Sequence, residues 1–295
     1  MKDFVIISDG ACDLSDEAVK ALGVRVVPFY IAYDENTYLK EKVDINVADF
    51  YQKLVDNPSV FPKTSMPTAD DYLKEFQKAY DEDKDVLCIT ISKKFSGSLN
   101  SALMAKDLFL EDHPDARVEI IDSILLSCPQ GLLIREIVRM KENGLDLDAV
   151  IANAEEIKET GRCYFTISGL SYLKHGGRIG KLTAIVGNIL KIHPLIVQKN
   201  GEIQSGGISL NRKRAIMKIL DKFKATLQKY QIKIESYLIE VGYGHSLEEG
   251  YDLAKKFEET FHHKVDLMDQ IGATIAVHTG PHPLGIAFIR KYDAK

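Results

Sequence analysis

The sequence predicts an α/β protein with a mostly parallel sheet in its N-terminal half and a mixed sheet in its C-terminal half. Three observations carry this. Up to about residue 160, short apolar runs alternate with helix-period segments, the βαβ rhythm of a parallel sheet. Beyond Thr160-Gly161 the rhythm changes, and Asn200-Gly201 joins two apolar runs in the manner of a tight antiparallel hairpin. At 295 residues the chain can bury two cores, so two domains are expected, 1–160 and 161–295.

Residues 4–8 read as a buried strand, 14–22 as a helix capped at Asp13 or Ser15, and 25–30 as a second strand. Helical patterns follow at 46–55 and 69–80, then a strand at 86–91, a helix at 99–110 and a strand at 118–121. Two more helices, 132–141 and 147–159, are punctuated by Asn143-Gly144 and Asp146. The second half begins with a strand at 164–168 and a helix around 181–190, followed by the hairpin 195–199 and 202–208. A basic amphipathic helix spans 212–229. A strand at 236–241, a helix at 247–261 and two apolar strands at 274–277 and 286–289 complete the chain.

A net charge of −5 and a pI near 5.9 argue against a general nucleic-acid surface. Cys12, Cys88, Cys128 and Cys163 are scattered without a CxxC pair or a neighbouring His, which indicates neither zinc nor a disulfide framework. The first residues lack a signal-peptide pattern, and no apolar stretch approaches 18 residues, so a cytoplasmic protein is expected.

The strongest local signal lies where the strand at 86–91 ends in Ser92-Lys93-Lys94-Phe95-Ser96-Gly97-Ser98 and a helix opens. Unpaired N–H groups at a helix start favour an anion, while Ser96, Gly97 and Ser98 permit close approach and add hydroxyls. An ordinary Ser cap with a turn glycine is the competing explanation. A second loop, Phe61 to Thr68, has the same character. Thr68 with Asp71 fits a capping box, whereas Thr64 and Ser65 lie too early to cap and are free for a ligand or the turn.

Gly176, Gly177 and Gly180 surround Arg178, a fixed positive charge suited to carboxylate or phosphate, or a plain turn with a solvated arginine. Their spacing matches neither a Walker loop nor a dinucleotide fingerprint. His278, after an apolar run, is expected at a strand's carboxyl end, where open α/β sheets collect ligand groups, or as a structural histidine. His282, between prolines, is expected in exposed loop. Asp9 and Asp122-Ser123 occupy comparable strand ends and would orient loops or cap helices. A Gly-x-Ser-x-Gly elbow at Ser96 would need glycines where Lys94 and Ser98 stand, which disfavours nucleophilic hydrolysis.

Taken in order, these segments resemble the DegV family, the bacterial fatty-acid-binding proteins that include the FakB subunits of fatty acid kinase. The resemblance rests on Ser8-Asp9 with Cys12-Asp13-Leu14, Thr64 to Thr68, Ser96-Gly97-Ser98 and Asp122-Ser123. It continues through Leu173 to Ile179, His193-Pro194-Leu195 and His278-Thr279-Gly280-Pro281. It implies a two-domain DegV-like fold holding one long-chain fatty acid between the domains, with no other cofactor and no metal.

The resemblance places the carboxylate at Thr64, Ser65, Ser96, Gly97, His278 and Thr279, and gives Arg178, with His278, a role in kinase docking or phosphoryl transfer. It implies a non-catalytic carrier whose partners are a separate ATP-binding fatty acid kinase and an acyltransferase that uses the acyl-phosphate for phospholipid synthesis, with transient membrane contact. The alternative is a phosphotransferase or hydrolase of a small anion. Thr68, Ser98, Gly180 and His282-Pro283 depart from the family pattern, and the last pair is placed to reshape the pocket or the kinase-docking rim.

Overall fold

The computed structural model describes residues 2–34, 37–185 and 192–294. The first half contains β1 (Phe4–Asp9), α1 (Asp16–Leu22), β2 (Arg25–Val27), β3 (Tyr30–Ala32), β4 (Tyr38–Lys40), α2 (Val47–Asp56) and β5 (Lys63–Ser65). It continues with α3 (Ala69–Asp81), β6 (Asp85–Thr90), α4 (Ser98–Asp112), β7 (Val118–Asp122), α5 (Cys128–Glu142) and α6 (Leu147–Lys158). The second half contains β8 (Arg162–Thr166), α7 (Ser171–His175), β9 (His193–Lys199), β10 (Glu202–Ser209) and α8 (Arg212–Tyr230). It ends with β11 (Tyr237–Tyr243), α9 (Leu247–Phe261), β12 (Leu267–Gln270), α10 (Ala273–Thr279) and β13 (Leu284–Arg290).

The first sheet is parallel throughout, in the order β2-β1-β6-β7. The second runs β10-β9-β8-β13-β11-β12 and is mixed, since only β11 and β12 pair in parallel. The Asn200-Gly201 hairpin forms as expected, with both residues at positive φ, 54° and 75°. A small antiparallel sheet, β4-β3-β5, flanks the first.

Strand alternation sorts the core into layers. Val5 and Ile7 face α3 and α4 through Tyr72, Phe76 and Ala105, while Phe4 and Ile6 face Leu132, Leu133 and Ile137 of α5. In β13, Ile286 and Phe288 face α8 and α9, while Ala287 and Ile289 join the α5 side. The result is five layers, helices alternating with sheets, with α5 and α6 shared between the two sheets. Each fully buried leucine of α5 contributes about 1.5–3 kcal/mol by leaving water.

Several expectations change. The strand expected at 25–30 breaks at Pro28, which cannot donate to a ladder, and its end joins the small sheet as β3. Residues 274–277, expected as a strand, are the middle of α10. Their β-branched composition is overridden by a carboxylate, Glu41, that meets the helix's first N–H groups. Of the helix expected at 181–190, the structure shows a 3-10 turn over Gly180–Ile185; the rest lies outside the described residues.

Candidate functional site

Asp9 ends β1 as a fully buried carboxylate and ties the site loops together. It accepts from Ile91 N at 2.8 Å, Ala11 N at 3.3 Å, Gln130 Nε2 at 3.0 Å and Ser98 Oγ at 2.7 Å. Burial pushes its pKa up and these donors oppose that. Ser98, expected to offer a hydroxyl to the ligand, is instead turned into the core, where Tyr72 also bonds it at 2.7 Å. Asp122 and Ser123 orient the following loop, accepting from Ile124 N at 2.9 Å and Leu125 N at 3.0 Å.

Ser96 remains at the surface of this loop. Its Oγ accepts from Ser98 N at 3.1 Å, so its own O–H is left for a further partner. Gly97 beside it lies under the flexible end of Met66: an added Cβ would lie 2.6 Å from the Met66 sulfur. Thr68 is the expected cap, forming a capping box with Asp71.

Thr64 and Ser65 lie on β5, with Thr64 Oγ1 2.9 Å from His278 Nε2 on α10. The His278 ring presses on Gly176, where an added Cβ would lie 2.1 Å from Nδ1. Nδ1 is buried without a partner among the described residues. Burial, and then the positive charge of Arg178, push the His278 pKa down to about 4, so the ring is neutral at neutral pH. Arg178 is fixed by the Phe95 carbonyl at 3.2 Å and the Gly176 carbonyl at 2.7 Å. Thr279 donates to Ile275 O at 3.1 Å, which leaves its oxygen as an acceptor.

These seven residues, Thr64, Ser65, Ser96, Gly97, Arg178, His278 and Thr279, line one cavity of about 270 Å³. Its other walls are largely apolar and include Phe29, Ile91, Leu126, Phe165, Ile203 and Ile275. Leu126, Phe165, Ile275 and Thr279 also wall an inner lobe of about 30 Å³ that reaches Cys128, Cys163 and Ala287. The polar cluster opens the other way. Ser96, Gly97 and Arg178 are shared with a surface groove of about 580 Å³ bearing Lys93, Lys94 and Lys181, the last two paired with Glu202. A molecule with an anionic head and a long apolar body matches this gradient.

Two expectations are corrected here. His278 stands on a helix rather than at a strand end, though it still reaches the site. His282 is half-buried, its ring 6.3 Å from and perpendicular to that of His245, on a neighbouring surface cavity with Phe61 and Tyr172 that meets the site only at Thr279; of the pair, only Pro283 touches the inner lobe.

Glu41 was not foreseen. Its buried carboxylate accepts from Ala273 N at 2.6 Å, Thr274 N at 3.3 Å and the Thr274 hydroxyl, so it aims the helix that carries His278. Asp13, which accepts from Ser127 Oγ at 2.5 Å, lies beside it: a Cβ on Gly272 would lie 2.6 Å from a Glu41 oxygen and 2.7 Å from an Asp13 oxygen. Glu41 acts 232 positions along the chain from Ala273, so no local spacing reveals it. Among the described residues, no group of three or more His, Cys, Asp or Glu is placed to hold a metal ion, and no helix is long and apolar enough to cross a membrane.

Residues 3–291 match the family described as "Uncharacterised protein, DegV family". A DegV domain-containing protein of Clostridium perfringens is 30% identical over 292 residues, covering 98% of each chain. The crystal structure of a fatty acid (stearic acid)-binding protein from Eubacterium ventriosum superposes with a TM-score of 0.95 at 40% identity, covering 99% of this chain and 100% of that one. A fatty-acid-binding DegV family protein from Thermus thermophilus gives 0.86 at 28% identity, covering 98% and 100%. With its parallel first sheet, mixed second sheet and near full-length match, the chain belongs to the DegV family.

Proposed function

We propose that this protein binds one long-chain fatty acid and presents its carboxylate to a separate ATP-dependent fatty acid kinase. The observation that carries the reading is a single cavity whose hydroxyl, imidazole and guanidinium groups gather at one end and whose remainder is largely apolar. Residues 1–160 supply the loops for the carboxylate, and 161–295 cover the chain and add His278, Thr279 and Arg178. The similarity to stearic acid-binding and other fatty-acid-binding relatives supports the ligand class.

Thr64, Ser65, Ser96 and the Gly97 backbone hold the carboxylate with His278, and Thr279 joins them by turning its O–H away from the Ile275 carbonyl. A neutral His278 donates through one ring nitrogen, and Arg178 supplies the opposite charge that a buried carboxylate requires. The chain itself is held by desolvation: at about 0.8 kcal/mol per CH₂, a C16 tail gains on the order of 10 kcal/mol before association costs.

The kinase step fits the groove outside the polar end, where Lys93, Lys94 and Lys181 face solvent and Arg178 borders both groove and cavity, a basic setting for phosphate. The product would be an acyl-phosphate, consumed by an acyltransferase in cytoplasmic phospholipid synthesis.

Native mass spectrometry of the purified protein, with denaturing extraction, tests the ligand. The expected result is a one-to-one mass increment matching a fatty acid. A protein that is empty and does not take up oleate or palmitate would remove the reading. Turnover of ATP with fatty acid by the protein alone would replace the carrier with a phosphotransferase.

A further inference from the structure

Helices α8 and α9 lie side by side on the second sheet, over the face opposite the one that α5 covers. They run parallel. Arg212 and Glu249 at their starts form an ion pair at 2.9 Å, and further along the Phe223 ring packs 5.2 Å from Phe257 and 5.1 Å from Phe261. Their charges are opposite: α8 carries seven Lys or Arg and one acidic residue, Asp221, whereas α9 carries five Asp or Glu and two lysines, Lys255 and Lys256.

The order of residues along the two outer stripes is complementary as well. On α8 the exposed residues Arg214, Met217, Asp221 and Lys224 read plus, apolar, minus, plus. On α9 the exposed residues Glu248, Tyr251, Lys255 and Glu258 read minus, apolar, plus, minus. Both sets step by three, four and three residues, the spacing that keeps side chains on one stripe of a helix. Met217 is 45% exposed and Tyr251 59%. Of these six charges, only Glu258 has an ion-pair partner among the described residues, the exposed Lys264 at 4.0 Å.

We propose that the α8 and α9 face is an isologous contact between two copies of this chain. A two-fold axis along the seam between the helices lays α8 of one copy on α9 of the other, still parallel, and makes the same contact twice. Arg214, Asp221 and Lys224 then meet Glu248, Lys255 and Glu258 of the second copy, and Met217 meets Tyr251. Even the one acid of α8 finds a lysine at its own step. A partner of one sign is repelled by half of this face, whereas a second copy carries both halves in matching order. The contact leaves the cavity open, because the cavity residue Phe165 lies in the core on the other side of the sheet. The proposal is independent of what fills that cavity.

Sedimentation equilibrium of the full chain tests it. The wild type is expected to pass from 33.1 kDa to twice that mass as concentration rises, and to dissociate more readily in high salt. Arg214→Glu with Lys224→Glu makes both stripes acidic, and Glu248→Lys with Glu258→Lys makes both basic. Each double variant alone is expected to dimerise at least about tenfold more weakly. An equimolar mixture of the two is expected to regain the wild-type affinity, since every contact again joins opposite charges, and that recovery excludes misfolding as the cause of the loss. A wild type that stays monomeric throughout overturns the proposal, as does a mixture that associates no more tightly than the separate variants. Equal dimerisation of the wild type and both variants also overturns it and assigns the contact to another face.

Discussion

Thr64 and His278 meet at 2.9 Å across 214 positions of sequence, and this contact joins the two halves of the chain at the polar end of the cavity. The ring sits between a hydroxyl on one side and Gly176 on the other, and burial, aided by the charge of Arg178, keeps a proton off it. Hydroxyl, imidazole and guanidinium therefore act as one unit.

The first prediction concerns the titration of His278. Its folded pKa of about 4 lies below the ordinary 6.5, so between these values the unfolded chain binds the proton more readily. Its contribution to stability is present above pH 6.5 and is lost as pH falls through about 4. Comparing unfolding free energy across pH 3.5–7.5 for the wild type and His278→Gln should show the variant losing less on acidification. In an NMR titration Arg178→Met should raise the His278 midpoint without restoring 6.5, since burial is the larger cause.

Asp13 should behave with the opposite sign. Burial, together with the nearby Glu41 charge, raises its pKa to about 8, so its stabilising effect is present below pH 3.8 and is lost as pH rises through 8. Asp13→Asn should flatten the fall in stability between about pH 4 and 8, read by denaturant midpoints at each pH. An unchanged slope would mean that Asp13 is ionised in the fold.

Ser96→Ala should weaken fatty-acid affinity by about 1–3 kcal/mol, the usual cost of losing a hydrogen bond to a charged group. Isothermal titration with a delipidated protein measures this. Stability should fall by no more than about 0.5–2 kcal/mol, the cost of the single bond from Ser98 N, because Ser98 keeps the buried bonds to Asp9 and Tyr72.

Gly176→Ala should lose more than a helix-terminal substitution ordinarily does. The new methyl would meet the His278 ring at 2.1 Å, so the ring must move and release Thr64. A destabilisation of about 1–3 kcal/mol is expected from overpacking, with weaker ligand binding in parallel. Gly177→Ala has no such neighbour, and its strain comes from its backbone alone, φ 67°.

Much of this was legible in sequence because it is local. The alternation of β1, β6 and β7 with helices, the Asn200-Gly201 hairpin and the Thr68–Asp71 box follow from spacing within a few residues. The loops at Thr64 and Ser96 stood out because their hydroxyls exceed what capping needs. What failed was set by distant partners: 274–277 reads as strand until Glu41 caps it, and Ser98 reads as a ligand hydroxyl until Asp9 claims it. Phe165 and Ile203 line the cavity yet have the sequence signature of any core residue.

The shared layer of α5 and α6 has a consequence for descent and for engineering. Leu132, Leu133 and Ile137 complete the first sheet's core, while the same cluster takes in Ala287 and Ile289 from the second. A chimera that exchanged residues 161–295 between relatives would mate foreign strands to a resident helix layer. Exchange is therefore tolerated only when α5 and α6 travel with the second sheet or the contacts are rebuilt, and the halves are bound to drift together rather than as interchangeable modules.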